Sequence, residues 1–499
     1  MKYLFVITVF LLSSALYADW DNEQKLTASD GASYDHFAYV VSLDGDYAVI
    51  GAYWDDDNGY NSGSAYIFYK SGTIWTEQAK ITPSDGSFED YFGISVSISG
   101  DYALIGAYCD DDNGSNSGSA YIFHRNGTTW MQQAKITASD GSYEDLFGIS
   151  VSISGDYALI GADRDDDNGN NSGSAYIFHR TGTTWTEQAK ITASDGADQD
   201  LFGYPVSISG DYALIGSYRD DDNGYNSGSS YIFHRSGTTW EQQTKLTASD
   251  GAAEDWFGIS ISISGDYAII GAYNDDDNGA ESGSVYIFHR NGTTWEQQTK
   301  LTASDGAAED GFGRSVSING NYALIGAYWD DDNGEHSGSA YLFHRSGTIW
   351  TEHSKITASD GAANDHFGIS ASIEGDYALI GAYYDNDNGA ESGSAYIYHN
   401  DAVFIEEEQV NIPVNTILYG NYPNPFSTST TVEYKLKQSE QVSLTIYDYL
   451  GKQVEVIQEY QLQGKQKVEW NAERLPDGIY YFRLQAGEQT ANGKMLKLR

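Results

Sequence analysis

The segments Trp130-Met-Gln-Gln-Ala-Lys-Ile-Thr137, Phe147-Gly-Ile-Ser-Val-Ser-Ile153, Tyr157-Ala-Leu-Ile-Gly-Ala162 and Ser174-Ala-Tyr-Ile-Phe178 decide the fold. The first alternates in polarity, the second alternates large apolar with small residues, and the third is nearly all apolar, as a strand buried on both faces should be. Between them lie Ala138-Ser-Asp-Gly-Ser-Tyr-Glu-Asp145, the tight turn Ser154-Gly-Asp156, and the acidic loop Asp163-Arg-Asp-Asp-Asp-Asn-Gly169. No segment has a helical period. The opening Trp recurs at Trp20, Trp75, Trp185, Trp240, Trp295 and Trp350, always 55 residues apart, with no insertion or deletion.

A fixed period of this length marks a solenoid or a propeller. Four strands per unit and seven units predict an all-β, seven-bladed β-propeller. A linear solenoid should carry atypical capping units, whereas the terminal copies here match the middle ones. The last copy stops at Tyr398-His399, where another Trp strand is due, and the spare strand stands at the other end, Trp20–Thr27. The N-terminal strand is therefore expected to become the outer strand of the seventh blade and close the ring. Phe147, Ile149, Val151 and Ile153 are expected to fill the space between blades, with Gly148, Ser150 and Ser152 permitting close approach.

Composition narrows the function. Asp and Glu outnumber Lys and Arg by 72 to 27, a net charge of −45. This opposes nucleic acid or anionic lipid as partner and favours solubility and attraction for cations. The single cysteine, Cys109, rules out a disulfide framework or a cysteine metal site. It stands where other copies have Trp54, Arg164 or Asn274, and reads as a tolerated variant in an exposed loop. Residues 1–18 have a positive charge, an apolar run and small residues before Asp19, which predicts a secretory signal peptide. No later segment approaches a membrane span.

Phe-Gly, then Gly-Ala about 14 residues on, then Gly-x-Ala-Tyr-Ile-Phe resembles the FG-GAP repeat of integrin α-subunit propellers and their bacterial relatives, over roughly residues 20–400. Phe37-Ala38 and Gly216-Ser217 depart from the motif. The calcium loop of the integrin repeats lies between the Phe-Gly and Gly-Ala strands. Here that link is only Ser-Gly-Asp or its equivalent, so the integrin calcium site does not carry over.

A different loop could hold a cation. Asp55-Asp-Asp57-Asn-Gly59 and its copies supply hard oxygen ligands of the kind Ca²⁺ takes. The candidate metal ligands are Asp55, Asp57, Asp110, Asp112, Asp165, Asp167, Asp220, Asp222, Asp275, Asp277, Asp330, Asp332, Asp385 and Asp387. The same residues are also what any exposed β-turn uses, and three consecutive Asp fit no standard calcium loop. The copy at Asp385-Asn386-Asp387 comes nearest to one. His124, His179, His234, His289 and His344 lie on separate blades and read as strand-end residues, since a zinc site would need several to converge.

Alternating hairpins place the acidic loops and the Ala-Ser-Asp-Gly links on one face. The Ser-Gly-Asp turns and Arg125, Arg180, Arg235, Arg290 and Arg345 fall on the other. Variation among copies concentrates on the acidic face, at His36, Tyr91, Leu146, Leu201, Trp256, Gly311 and His366, and at Trp54, Cys109, Arg164, Arg219, Asn274, Trp329 and Tyr384. Loops at one end of a rigid scaffold are the usual place for binding.

Residues 401–415 read as a linker, and 416–499 as a small immunoglobulin-like β-sandwich with six strands between Thr431 and Leu498. Asn421-Tyr-Pro-Asn-Pro-Phe426, Trp470-Asn471, Leu475-Pro-Asp-Gly-Ile-Tyr-Tyr-Phe-Arg483 and Lys494-Met-Leu-Lys497 resemble the type A sorting domain of the type IX secretion system. The resemblance implies export, partnership with that machinery and a surface sortase, and attachment to surface polysaccharide or release.

The expectation is thus a secreted or cell-surface adhesion or binding propeller spanning 19–400, a monomer, with calcium as a candidate cofactor. Its ligand would be an extracellular glycan or protein held at the acidic loop face. No enzyme activity is expected, because every candidate carboxylate recurs in seven copies and no blade carries a distinct acid/base pair. A polysaccharide-acting enzyme and a structural surface-layer component are the alternatives.

Overall fold

The computed structural model describes residues 20, 22–400, 416–436, 438–448, 452–476, 478–486 and 489–498. The expected signal peptide and linker lie outside these residues. The chain divides into two compact units, Met1–Asp401 and Ala402–Arg499.

The first unit contains seven four-stranded antiparallel sheets. In the third, Ser150–Ser154, Tyr157–Ala162, Ser174–Thr181 and Thr184–Ile191 pair in chain order, from the ring axis outward. The second strand is buried from Ala158 to Ala162, which explains its unbroken apolar run. The seventh sheet is assembled from both ends of the unit: Asn22–Leu26 pairs with Ser394–His399, with Glu23 opposite Tyr398 and Leu26 opposite Ala395. The N-terminal strand thus takes the outer position, as expected.

Two hydrogen-bonded belts tie blade to blade. Near the axis a serine on each first strand accepts a backbone N–H from the next blade. Ile153 donates to Ser97 Oγ at 3.1 Å, and Ile208 to Ser152 Oγ at 3.1 Å. The belt continues through the junction of the two ends, where the Leu43 N–H reaches Ser372 Oγ at 3.0 Å. The outer belt depends on β-bulges. In blade 3 the register shifts between Ile177 and Phe178, leaving Gln188 unpaired. The bulge re-aims that side chain, whose Oε1 accepts from Trp240 Nε1 of the next blade at 3.2 Å. This gives the repeated Trp its role: its ring is buried between blades, and in Trp130, Trp185, Trp240, Trp295 and Trp350 the indole N–H is satisfied by the preceding blade.

The Gly-Ala and Phe-Gly glycines explain each other. A Cβ on Gly106 would lie 1.9 Å from the Gly148 carbonyl oxygen of the next blade, and Gly148 itself has φ +94°. Only glycine meets both demands. The left-handed turn at Gly148 also corrects one expectation. It breaks the alternation, so the strand begins at Ser150, and Ile149 faces the axial cavity rather than the space between blades. Phe147, Val151 and Ile153 do fill that space.

The second unit is a sandwich of a three-stranded and a four-stranded sheet. Its described residues form seven strands rather than six. The additional one, Thr416–Tyr422, pairs with Ser429–Leu436 through a register shift between Leu418 and Gly420, which erases a clean period-two signal. Val432, Leu444, Val468, Trp470 and Phe482 form its core.

Candidate functional site

Each acidic loop is built round one buried carboxylate. In blade 1 Asp55 is 3% exposed. Its Oδ1 accepts from Ser64 Oγ at 3.0 Å and from the Asp57 N–H at 3.1 Å, and its Oδ2 accepts from the Tyr66 hydroxyl at 3.0 Å. Asp56 caps the turn by accepting the Asn61 N–H at 2.6 Å. Asp30, from the inter-blade link, joins through the Tyr66 hydroxyl at 2.8 Å. Loop and link therefore share a face, as the hairpin geometry requires.

The position between the carboxylates is taken by an ammonium. Lys80 Nζ lies 2.8 Å from Asp55 Oδ2, 2.9 Å from Asp30 Oδ2 and 2.5 Å from Asp57 Oδ2. Burial pulls the Lys80 pKa down, but the hydrogen bonds to Asp30, Asp55 and Asp57 outweigh it and hold the group above its ordinary range. Asp30 is pushed up by burial and down, more strongly, by Lys80 and Tyr66, so its carboxyl titrates below the usual range. The same triad surrounds Lys135, Lys190, Lys245, Lys300 and Lys355, and Lys25 serves blade 7 with Asp360, Asp385 and Asp387. Both ligand positions predicted in each blade are brought together, from Asp55 with Asp57 to Asp385 with Asp387. Asp110 with Asp112, Asp165 with Asp167, Asp220 with Asp222, Asp275 with Asp277 and Asp330 with Asp332 meet in the same way, each pair round its own lysine. Three groups, Asp140/Asp165/Asp167, Asp195/Asp220/Asp222 and Asp360/Asp385/Asp387, have oxygens within 4.8 Å of one another and could hold a metal ion.

The opposite face carries Arg125, Arg180, Arg235 and Arg290, each paired with the Asp of its Ser-Gly-Asp turn, and Arg345, bonded to Asn321. The strand-end histidines stay on separate blades, as expected. The His124 ring lies 4.6 Å from Tyr102 and that of His179 4.6 Å from Tyr157. Burial pushes the Cys109 thiol up to about 11, away from nucleophilic use.

The aromatic variable positions of the acidic face join the tyrosines that follow the Gly-Ala pairs in an aromatic belt, interrupted at blade 3. His36 stacks on Trp54 at 4.1 Å and contacts Tyr53 and Tyr383. Tyr91 stacks on Tyr108 at 5.4 Å, and Trp256 bridges Tyr218 and Tyr273. His366 joins Tyr328 to Tyr383. Tyr39, Ile94, Ile149, Tyr204, Ile259, Arg314 and Ile369, one from each blade, line a cavity of about 200 Å³. Six blades place Tyr53, Tyr108, Tyr218, Tyr273, Tyr328 or Tyr383 after the Gly-Ala or Gly-Ser pair, but blade 3 places Asp163 there. The expectation that every candidate carboxylate recurs seven times fails at this residue. Asp163 is 7% exposed, its Oδ1 has no hydrogen-bond partner, and burial raises its carboxyl to about 6 against the nearby charges of Arg164 and Arg219. A comparison of the residue after each Gly-Ala would have exposed it.

Fold and site together define a seven-bladed β-propeller with one acidic loop face and a separate β-sandwich. A model of the FG-GAP repeat matches residues 20–68, 75–123, 130–178, 185–233, 240–288, 295–343 and 350–398, and the chain belongs to that repeat family. A secretion system C-terminal sorting domain matches residues 421–497, which marks the protein for export to the cell surface or beyond. No curated protein matches the chain. Among solved structures it is similar to the β-propeller domain of the Trilobed protease from Pyrococcus furiosus, with 9% identity over 68% of this chain and 90% of that one, and a TM-score of 0.40. Among the described residues no helix is long and apolar enough to cross a membrane.

Proposed function

We propose that the protein is an exported glycan-binding propeller, delivered by its type IX sorting domain and freed from it by a surface sortase. The observation that carries this reading is the aromatic belt round the axis of the acidic face. Flat aromatic faces beside hydrogen-bonding groups suit sugar rings, which present apolar faces and hydroxyl edges. Binding is favoured over catalysis. Hydrolysis of a glycosidic bond usually takes two facing carboxyl groups, and among the described residues no pair of carboxylates lines the axial cavity. In the same reading the cation of each acidic cluster is the lysine ammonium, and calcium would have to displace it. A glycan array probed with the full chain tests the proposal. Binding to defined glycans is expected, and a blank array from folded protein would favour a structural surface-layer role.

A further inference from the structure

We propose that the axial mouth between blades 3 and 6 binds a uronic acid residue of an acidic polysaccharide, its carboxylate taken by Arg314 and its hydroxyls by Asp163. This rests on the glycan-binding reading and names the sugar class.

Arg314 and Asp163 each stand where the other six blades carry a neutral residue of the axial ring, and Arg314 lines the cavity. Arg314 follows Phe-Gly where other blades carry Ile or Tyr. Its guanidinium lies over Tyr273 and Tyr328 at 6.0 and 5.8 Å, with no carboxylate in ion-pair distance among the described residues. Arg164 and Arg219 hold equivalent positions on blades 3 and 4, and they too lack an ion pair there, whereas the propeller's other five arginines each grip a turn Asp or Asn. Asp163 replaces the tyrosine of the other six blades and keeps a buried, unpartnered oxygen.

In a chain of net charge −45, a guanidinium that lines a cavity with no carboxylate in ion-pair distance among the described residues is the opposite of the general pattern. Every lysine triad shows that this protein pairs its cations thoroughly. A guanidinium takes a carboxylate through two parallel hydrogen bonds, so the missing partner is an anion with that geometry. A buried carboxyl oxygen without a donor costs stability unless a ligand supplies one, and a sugar hydroxyl does so. The surrounding tyrosines offer the faces on which a pyranose ring rests. Carboxylate, hydroxyls and flat ring together describe a uronic acid.

The test is calorimetric titration of the full chain with tetragalacturonate, an alginate tetramer and a hyaluronan tetrasaccharide. Cellotetraose serves as the neutral sugar and tetraglutamate as the acidic peptide. Binding of at least one uronate oligomer is expected, with no binding of the other two. Arg314→Ile and Asp163→Tyr copy residues that other blades carry and so preserve the fold. Each is expected to weaken uronate binding about tenfold or more. Binding undiminished in Arg314→Ile, or tetraglutamate bound as tightly as the uronates, overturns the inference. Binding of cellotetraose alone also overturns it while leaving the glycan-binding reading intact. If folded protein binds no sugar on this panel or on the array, both fall.

Discussion

The backbone N–H of Leu43 donates to Ser372 Oγ at 3.0 Å, across 329 residues of chain. It is the same bond that Ile153 makes to Ser97 and Ile318 to Ser262 between neighbours in sequence. The joint between the two ends of the propeller is thus built like the other inter-blade joints. The covalent link is missing and Asn22–Leu26 replaces it by pairing with Ser394–His399, while in the outer belt Gln24 bonds the Trp75 backbone instead of its indole.

Stability should therefore depend on that strand out of proportion to its length. Trp20 and Leu26 are each 3% exposed. Trp20→Ala removes a large ring from the contact between blades 6 and 7 and is expected to cost about 3–5 kcal/mol, read as a lower denaturation midpoint. An unchanged midpoint would mean that the seventh blade does not need its N-terminal strand.

The lysine triads predict indifference to calcium. In the intact protein neither a chelator nor added calcium should move the melting temperature, because the ammonium already occupies the position between the carboxylates. Lys80→Ala leaves buried Asp55 beside Asp30 and Asp57 with no counter-charge. With Asp30 and Asp57 half exposed, solvent screening limits the loss to about 1–3 kcal/mol. Calcium should restore part of it in the variant alone. A calcium-dependent melting temperature in the intact protein would refute the lysine account.

Much of this was legible in the sequence, and what was not has physical causes. The 55-residue step gave blade number, strand edges and closure, because each strand keeps its polarity pattern through seven copies. Lys80 was not legible as a ligand substitute, because a lysine on an outer strand reads as a solvated face. Asp163 was hidden beside Asp165-Asp-Asp167 and read as part of an acidic run, although it belongs to the axial ring of tyrosines. Ile149 was assigned to the wrong side because the left-handed Gly148 turn interrupts the alternation.

Stability should fall as pH rises from about 4 to 6. Asp35, Asp90, Asp145, Asp200, Asp255, Asp310 and Asp365 are each raised from 3.8 to about 6 by burial, against the opposing hydrogen bond from a backbone N–H. Between these values the native state holds more protons than the unfolded chain, so unfolding becomes easier with rising pH. The growing net negative charge acts in the same direction. Below 3.8 the lowered groups, Asp30 and its equivalents, reverse the slope. Asp145→Asn keeps an acceptor for the Ser142 N–H, now 2.6 Å from Asp145 Oδ2, and removes one titration. It should raise the melting temperature at pH 7 and leave it nearly unchanged at pH 4. A larger effect at pH 4 would contradict the assignment.

The first repeat carries a strain that the others avoid. Ala38 stands where the motif has glycine, yet it adopts φ +70°, close to the +94° of Gly148 and +93° of Gly368. It must do so, because its carbonyl oxygen meets Gly381 of blade 7 as Gly148 meets Gly106: a Cβ on Gly381 would lie 2.0 Å from Ala38 O. A left-handed conformation costs an alanine about 1–2 kcal/mol. Ala38→Gly relieves that cost, and the entropy of a freer unfolded chain returns part of it. The net expectation is a gain of about 0.5–1 kcal/mol, seen as a higher denaturant midpoint. The converse, Gly148→Ala, should destabilise by more than Ala38→Gly gains, because its new methyl would also lie 2.3 Å from the Ser119 carbonyl oxygen. If both substitutions were neutral, the Phe-Gly glycine would not be a backbone requirement of this propeller.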